Sequence, residues 1–180
     1  MVALDFFARH VVLSALIEKR LLRPGTRIMN TLASTHAVPF QSSGGVKKIF
    51  SAVVELVPPG YVPFTFLPLA VAADAWVRET TRRHSDFCFV GMFPGMVATD
   101  LTYASFPSWM APILRGTMWL TALSETESRL AHAIILTSEN VNRRGTAVFY
   151  NHLLEGRKAH HVALDDGLAS WVYDWLKEKT

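Results

Sequence analysis

The stretch Phe87–Phe93, which ends at Pro94-Gly95, constrains the fold more than any other part of the sequence. Its run Phe-Cys-Phe-Val-Gly-Met-Phe predicts a strand buried on both faces, as in a parallel sheet. Proline cannot donate a hydrogen bond to a neighbouring strand and glycine permits a sharp turn, so the strand must end here. Ligands of open α/β sheets bind beyond the carboxyl ends of the strands, which makes the loop after Pro94 the first candidate wall of a site.

Helices and strands alternate on both sides of this strand. Apolar spacing predicts further strands at 26–32 and 146–151, helices at 4–22, 46–57, 66–84 and 166–179, and another helix that begins at the capping box Ser124-x-x-Glu127. Residues 101–123 are interpreted as an irregular, aromatic-rich excursion. This order predicts an α/β fold in one domain, residues 1–180, with a short parallel sheet between layers of helices.

Composition limits the functions open to the chain. Half of its 180 residues are hydrophobic and 18% are charged, which favours an oligomer or a large apolar pocket. The net charge is +3 and the basic residues are dispersed, so no nucleic-acid partner is expected. The one cysteine, Cys88, lies inside the buried strand, which excludes a disulfide framework. Together with the lack of a recognisable signal peptide or membrane span, this predicts a cytoplasmic protein.

A resemblance to a known family rests on four stretches of sequence: Arg27–Ser34, Arg78–Asp86, Pro94–Leu101 and Gly145–Tyr150. In this order they resemble the C-terminal half of the short-chain dehydrogenase/reductase family. The resemblance implies a truncated Rossmann-like fold of three layers. It places Ser34 at the family's catalytic serine, Asp5 at its active-site asparagine, Phe66 at its tyrosine and Ala70 at its lysine.

These positions change the chemistry that the resemblance implies. Hydride transfer in the family needs a nicotinamide, a tyrosine acid and a lysine that lowers the tyrosine pKa. Phenylalanine has no proton to donate and alanine carries no charge. The sequence also has no G-x-G-x-x-G turn, the motif that holds a dinucleotide pyrophosphate. We therefore predict redox-neutral chemistry with no cofactor and no metal.

Proton transfer is assigned to Ser34, His36 and Asp5. Ser34 and His36 lie two residues apart at the end of a strand, where both can line the crevice. Substrate contacts are assigned to Phe66, Pro94, Met96, Thr99, Asp100, Tyr103 and Trp109.

Each assignment has an alternative that the sequence leaves open. Ser34 and His36 are equally compatible with an ordinary surface turn, and Asp5 with a carboxylate paired to Arg9 one helical turn later. The aromatic residues suit a plain core. Three solitary histidines are assigned satisfied core or surface roles: His10, His132 and His152.

The sequence therefore predicts a cofactor-independent isomerase, cyclase or lyase such as a dehydratase, acting by acid/base chemistry on a hydrophobic small molecule in secondary-metabolite biosynthesis. Two other readings remain: a non-catalytic pseudo-reductase that binds or scaffolds a partner, and a fragment of an NADP-dependent reductase. The strand at 26–32 is expected at a sheet edge. Because the family's helices that match 4–22 and 66–84 usually form a dimer interface, a homodimer through these helices is also predicted.

Overall fold

The computed structural model describes residues 7–32, 42–56, 66–95, 97, 108–141 and 143–180. In these residues the chain forms a mixed α/β structure, with one four-stranded sheet and six α-helices. The α/β class predicted from the sequence is therefore confirmed.

The sheet is parallel over three of its strands. The strands are β1 (Arg27–Thr31), β2 (Cys88–Phe93), β3 (Val148–Asn151) and β4 (Gly156–Arg157), in the spatial order β1-β2-β3-β4. The first three strands pair in parallel, and β4 is antiparallel to β3. Within the described part of the chain β1 lies at one edge, as predicted.

The fourth strand was not predicted. The predicted parallel sheet is wrong for this strand, because it runs antiparallel to β3. Two residues are too short for any hydrophobic period to show. The turn before β4 is instead set by the Asn151 side chain, whose Oδ1 accepts hydrogen bonds from the backbone nitrogens of Leu153 and Glu155. Leu154 adopts a positive φ of 63° in this turn. The reversal of chain direction between β3 and β4 therefore depends on one asparagine and not on a glycine or proline.

The helices cover both faces of the sheet. They are α1 (Ala8–Glu18), α2 (Ser43–Leu56), α3 (Phe66–Arg83), α4 (Ala111–Thr121), α5 (Glu125–Thr137) and α6 (Asp166–Lys179). Short 3-10 turns lie at Ser108–Met110, Glu139–Val141 and His161–Leu164. The capping box predicted for α5 is present, because Ser124 Oγ accepts from the Glu127 backbone N–H and the Glu127 carboxylate accepts from the Ser124 backbone N–H.

The irregular excursion predicted at 101–123 is wrong for its second half, which contains the regular helix α4. Pro112 occupies the first turn of this helix, where a missing N–H costs nothing. The predicted helix 4–22 is also shorter where it is described: α1 ends at Glu18, and Arg20 has a positive φ of 53°.

The central strand β2 is buried on both faces, as predicted. Its five residues from Cys88 to Met92 are all buried, and side chains alternate between two clusters of apolar residues. Phe89 joins the larger cluster with α3 and α6, whereas Val90 and Met92 join α5 on the opposite face. The apolar strand therefore requires helices on both sides.

The burial of α3 reduces the surface that is available to the predicted homodimer interface. Residues 68–81 of α3 have no exposed side chain, because α2, α6 and β2 cover them. Of the interface assigned to 66–84, the stretch 68–81 therefore offers no exposed side chain, and Arg82 and Arg83 are exposed at its end. Helix α1 keeps one, since Val11 and Val12 are 46% and 57% exposed.

A buried ion pair ties α3 to the end of the sheet. Asp74 Oδ1 lies 2.7 Å from Arg157 Nη2, and their side chains are 0% and 3% exposed. The backbone N–H of His160 donates to Asp74 Oδ2 at 3.2 Å. One carboxylate in the middle of α3 thus holds both β4 and the segment that leads into α6.

Replacing Asp74 should be far more costly than breaking an exposed ion pair. Asp74→Ala removes the carboxylate from a buried guanidinium, and we expect a loss of about 3–5 kcal/mol in the free energy of unfolding. The matched control is Glu125→Ala, which breaks the exposed Glu125–Arg129 pair and should cost about 0.5 kcal/mol or less. Urea titrations measure both; similar losses would contradict the structural role of the buried pair.

Candidate functional site

Most of the predicted site lies outside the described residues. This applies to Asp5, Ser34, His36, Met96, Thr99, Asp100 and Tyr103, and to the side chain of Phe66, whose backbone begins α3. Two predicted contacts are described. Pro94 is half-buried directly after β2, and Trp109 is 71% exposed in a 3-10 turn.

The carboxyl ends of the three parallel strands meet at one edge of the sheet. Thr31 of β1 is paired with Met92 of β2, and Phe93 of β2 with Asn151 of β3. The Leu32 N–H extends the ladder by donating to the Met92 carbonyl at 2.7 Å. The chain therefore leaves the sheet at the same edge after each of these strands.

The excursion after β2 returns close to this edge. Val97 forms an isolated parallel bridge with Leu123, between α4 and α5. The segment from 97 to 123 therefore starts and finishes at neighbouring positions beyond β2. This is the placement expected for a segment that covers the carboxyl edge.

His152 is the histidine that the structure brings to this edge. It follows β3 directly, and its ring packs edge-on against Phe93 with 6.4 Å between ring centroids. Its Nδ1 is buried and has no hydrogen-bond partner among the described residues. The satisfied role predicted for His152 does not hold at Nδ1 among the described residues, and a buried polar atom without a partner is uncommon in a native protein.

Gly95 lets the backbone approach His152. The residue has a φ of +77°, and a Cβ placed on it would lie 2.8 Å from His152 Nδ1. Any side chain here would push against the imidazole. The Pro94-Gly95 loop and His152 are thus one structural unit at the edge of the sheet.

The position of His152 in the sequence is itself a signal for this edge. His152 follows the third predicted strand directly, just as the Pro-Gly loop follows the second. Carboxyl ends of parallel strands share an edge, so the two segments had to be neighbours.

A second cluster of titratable groups surrounds a cavity of about 510 Å³. It combines side chains from α1, from the end of α3 and from α6: His10, Ser14, Glu18, His84, Tyr173 and Lys177. Because His84 lies just before β2, this cavity is near the end of the sheet where strands begin.

The hydrogen bonds in this cluster define the state of His10. The indole N–H of Trp76 donates to His10 Nδ1 at 3.3 Å, and an indole nitrogen can only donate. His10 Nδ1 must therefore be unprotonated, which makes the imidazole neutral with its proton on Nε2. The satisfied core role predicted for His10 is confirmed, as it is for His132, whose Nδ1 lies 2.6 Å from the Ser128 carbonyl.

Burial and positive charges keep both histidines of the cluster neutral. Burial lowers the pKa of His10, with further lowering by His84 and Lys177. Burial also lowers the pKa of His84, assisted by Arg83. His84 Nε2 lies 3.1 Å from the Tyr173 hydroxyl, and burial raises the pKa of that phenol.

Two further properties concern only the residues that the structure describes. No group of three or more histidine, cysteine, aspartate or glutamate side chains is placed to hold a metal ion. None of the helices in the same residues is long and apolar enough to cross a membrane.

Substitutions at two glycines should change stability in opposite directions. Gly95→Ala forces a Cβ into a positive φ and against His152, and we expect a loss of about 1–3 kcal/mol. Gly116 lies inside α4 with open space around its Cα, so Gly116→Ala should stabilise the protein by about 0.5–1 kcal/mol. Chemical denaturation tests both, and a harmless Gly95→Ala would show that the loop does not contact His152 this closely.

Stability should also fall in mild acid because of the His10–His84 cluster. The folded pKa values lie below 6.5, so the unfolded chain binds more protons as pH falls below that value. The contribution is complete above about pH 6.5 and is lost as pH falls toward the folded pKa values. The charged groups around the cluster are Glu18 on α1, Arg83 on α3 and Lys177 on α6.

Urea midpoints between pH 8 and 5 measure this loss. The double variant His10→Gln/His84→Gln keeps hydrogen-bonding side chains but cannot titrate, so its midpoint should change less with pH. An unchanged pH dependence would show that other groups cause it.

No family model matches this chain, and no curated protein has significant sequence similarity to it.

Proposed function

We propose that this chain is a redox-neutral enzyme, an isomerase, cyclase or dehydratase, that moves protons on a hydrophobic small molecule at the carboxyl edge of the sheet. The observation that carries the proposal is the buried Nδ1 of His152 beside Gly95, which has no hydrogen-bond partner among the described residues. An imidazole nitrogen that is not engaged by the protein is able to exchange a proton with a bound molecule.

The chain connections support the choice of this edge. Ser34 and His36 follow β1 by three and five residues in the sequence, on the side where His152 follows β3. Arg9 Nη1 donates to the Thr31 carbonyl at 2.8 Å, which holds the start of α1 beside the end of β1. Asp5 precedes Arg9 by four residues. All three proposed acid/base residues thus adjoin segments that reach the same edge.

We assign each group a role in proton transfer. His152 and His36 would act as acid and base, Ser34 would donate a hydrogen bond to a substrate oxygen, and Asp5 would serve as a further base. A positioned acid or base contributes about 10²–10⁴-fold to rate. Phe93 and Pro94 offer apolar surface to the substrate next to His152.

Position 70 argues against hydride transfer. Ala70 stands where the family resemblance has a lysine, and it is 4% exposed inside α3. A methyl group supplies neither the charge nor the donor that lowers the pKa of a catalytic tyrosine. This favours proton transfer without a nicotinamide.

A solvent-isotope experiment tests the proposal. The protein is incubated in D₂O with an apolar extract of its source, without added nicotinamide, and products are analysed by mass spectrometry. We expect compounds that isomerise, lose water or gain deuterium. His152→Gln and Ser34→Ala/His36→Ala should slow the change about 10²–10⁴-fold. The exposed His161 provides a matched control, and His161→Gln should keep the wild-type rate.

Other outcomes would favour the other readings. A transformation that requires NADPH, or a measurable affinity for NADPH by calorimetry, would favour a reductase fragment. A protein that changes no compound but copurifies with another chain would favour a non-catalytic partner. An unchanged rate in His152→Gln would remove His152 from the site.

The predicted homodimer is kept as part of this proposal, with a smaller surface. Val11 of α1 and Leu21 beyond it are exposed apolar side chains, 46% and 64% accessible. Since α3 is covered, a dimer would depend on α1 and its neighbours. Obligate dimers bury more than about 2,000 Å² in total, which a single helix of 11 residues does not supply alone.

A further inference from the structure

A groove of about 500 Å³ runs along the edge strand β1, between it and α1. Its walls are mostly apolar side chains: Ala8, Val12, Leu13, Leu16, Leu22, Ile28 and Trp76. The volume is in the range of small-molecule sites, about 300–1,000 Å³. Among the described residues, His152 does not line it.

One polar side chain in this groove has no partner. Asn30 is 7% exposed, and its amide nitrogen is buried without an acceptor among the described residues. Side chains alternate along β1, so Asn30 shares a face with Ile28, which also lines the groove. A buried amide N–H without an acceptor is destabilising, and its presence in an otherwise apolar groove requires an explanation.

We propose that this groove binds a neutral, apolar small molecule that carries a hydrogen-bond acceptor, a ketone or ester oxygen, which pairs with the Asn30 amide. The walls would bury the apolar body of the ligand, and Asn30 would fix its orientation. This is the usual division of work in ligand sites, with many apolar contacts and few polar ones.

The charges around the groove disfavour a cationic ligand. Among the described residues that line it, the charged side chains are Arg9 and Arg27, and neither aspartate nor glutamate is included. Both arginines already donate to backbone carbonyls: Arg9 to Thr31, and Arg27 Nη1 to Leu136 at 2.6 Å on the other face of the sheet. The proposed ligand is therefore neutral, because its acceptor pairs with the uncharged Asn30 amide and not with an arginine.

The backbone of β1 argues against a strand of a second chain as the occupant. Cys88 N–H donates to the Thr26 carbonyl and Leu32 N–H to the Met92 carbonyl, so the backbone N–H and C=O groups of even-numbered residues in this segment point toward β2. The backbone groups of odd-numbered residues then point toward the open edge of the sheet, as parallel pairing requires. The Arg9 guanidinium caps the Thr31 carbonyl on that open side, which opposes the addition of another strand.

A pair of probes isolates the proposed hydrogen bond. 1-Indanone and indane have the same apolar skeleton, and only the first carries a carbonyl oxygen. Affinities are measured from methyl NMR shifts of the full chain. We expect 1-indanone to bind the wild-type protein about tenfold more tightly than indane, with shifts at Leu13 and Leu16. In Asn30→Leu the two probes should bind equally.

Two neighbouring valines provide matched variants. Val12 lines the groove, whereas Val11 is next to it in sequence, is similarly exposed and lines the cavity around His10 instead. Val12→Asp should weaken 1-indanone binding at least tenfold, and Val11→Asp should leave it unchanged. His152→Gln should also leave it unchanged, which separates this site from the carboxyl edge.

Stability gives a readout that does not need a ligand. Leucine has nearly the shape of asparagine and needs no acceptor, so Asn30→Leu should raise the Tm by a few degrees. A lower Tm would show that the amide is already satisfied and would overturn the proposal. So would equal affinities of the two probes for the wild-type protein, or no binding at millimolar concentrations. A dimer by light scattering that Val12→Asp dissociates would make a second copy the occupant.

Discussion

The ion pair between Asp74 and Arg157 is the interaction on which the arrangement of the C-terminal part depends. It lies in the interior, where a charge is tolerated only beside its partner, so α3 and β4 cannot separate without exposing an unpaired charge to apolar surroundings. The same carboxylate accepts from the His160 backbone, just before the segment that leads into α6. The helix that covers β2 and the hairpin that ends the sheet are thereby fixed relative to each other.

With α3 fixed in this way, the polar groups of the chain separate into two regions. His10 accepts a hydrogen bond from Trp76, and His84 is hydrogen-bonded to Tyr173. Burial lowers the pKa of both histidines and keeps them neutral, so these side chains already have partners within the protein. His152, directly after β3, has a buried nitrogen with no hydrogen-bond partner in the described part of the chain. A polar atom that the fold does not satisfy is available to a bound molecule, which is why the proposed chemistry is placed at the carboxyl edge and not in the more crowded cluster.

Asn30 is a second side chain with a buried polar atom of this kind, and it lies in the groove between β1 and α1. The Asn30 amide nitrogen and His152 Nδ1 are both buried and have no partner among the residues that the structure describes, but one lies in an apolar groove and the other beside a glycine loop. An amide donates a hydrogen bond without changing its charge, whereas an imidazole also exchanges protons. Binding is therefore the role that the groove supports, and proton transfer the role that the edge supports.

The sequence by itself determined the α/β class, the buried strand β2 and the capping box of α5. Each depends on local signals: an apolar run, a Pro-Gly stop, or a serine and a glutamate three residues apart. Only the tertiary structure decided that Gly95 lies directly against His152 Nδ1, that the Asn30 amide has no partner among the described residues, and that 68–81 of α3 is covered. It also revealed β4, which is too short for a hydrophobic period to show, and α4, whose first turn contains Pro112. Contacts between residues far apart in the chain depend on how the elements pack, and no local pattern of apolar and polar residues specifies them.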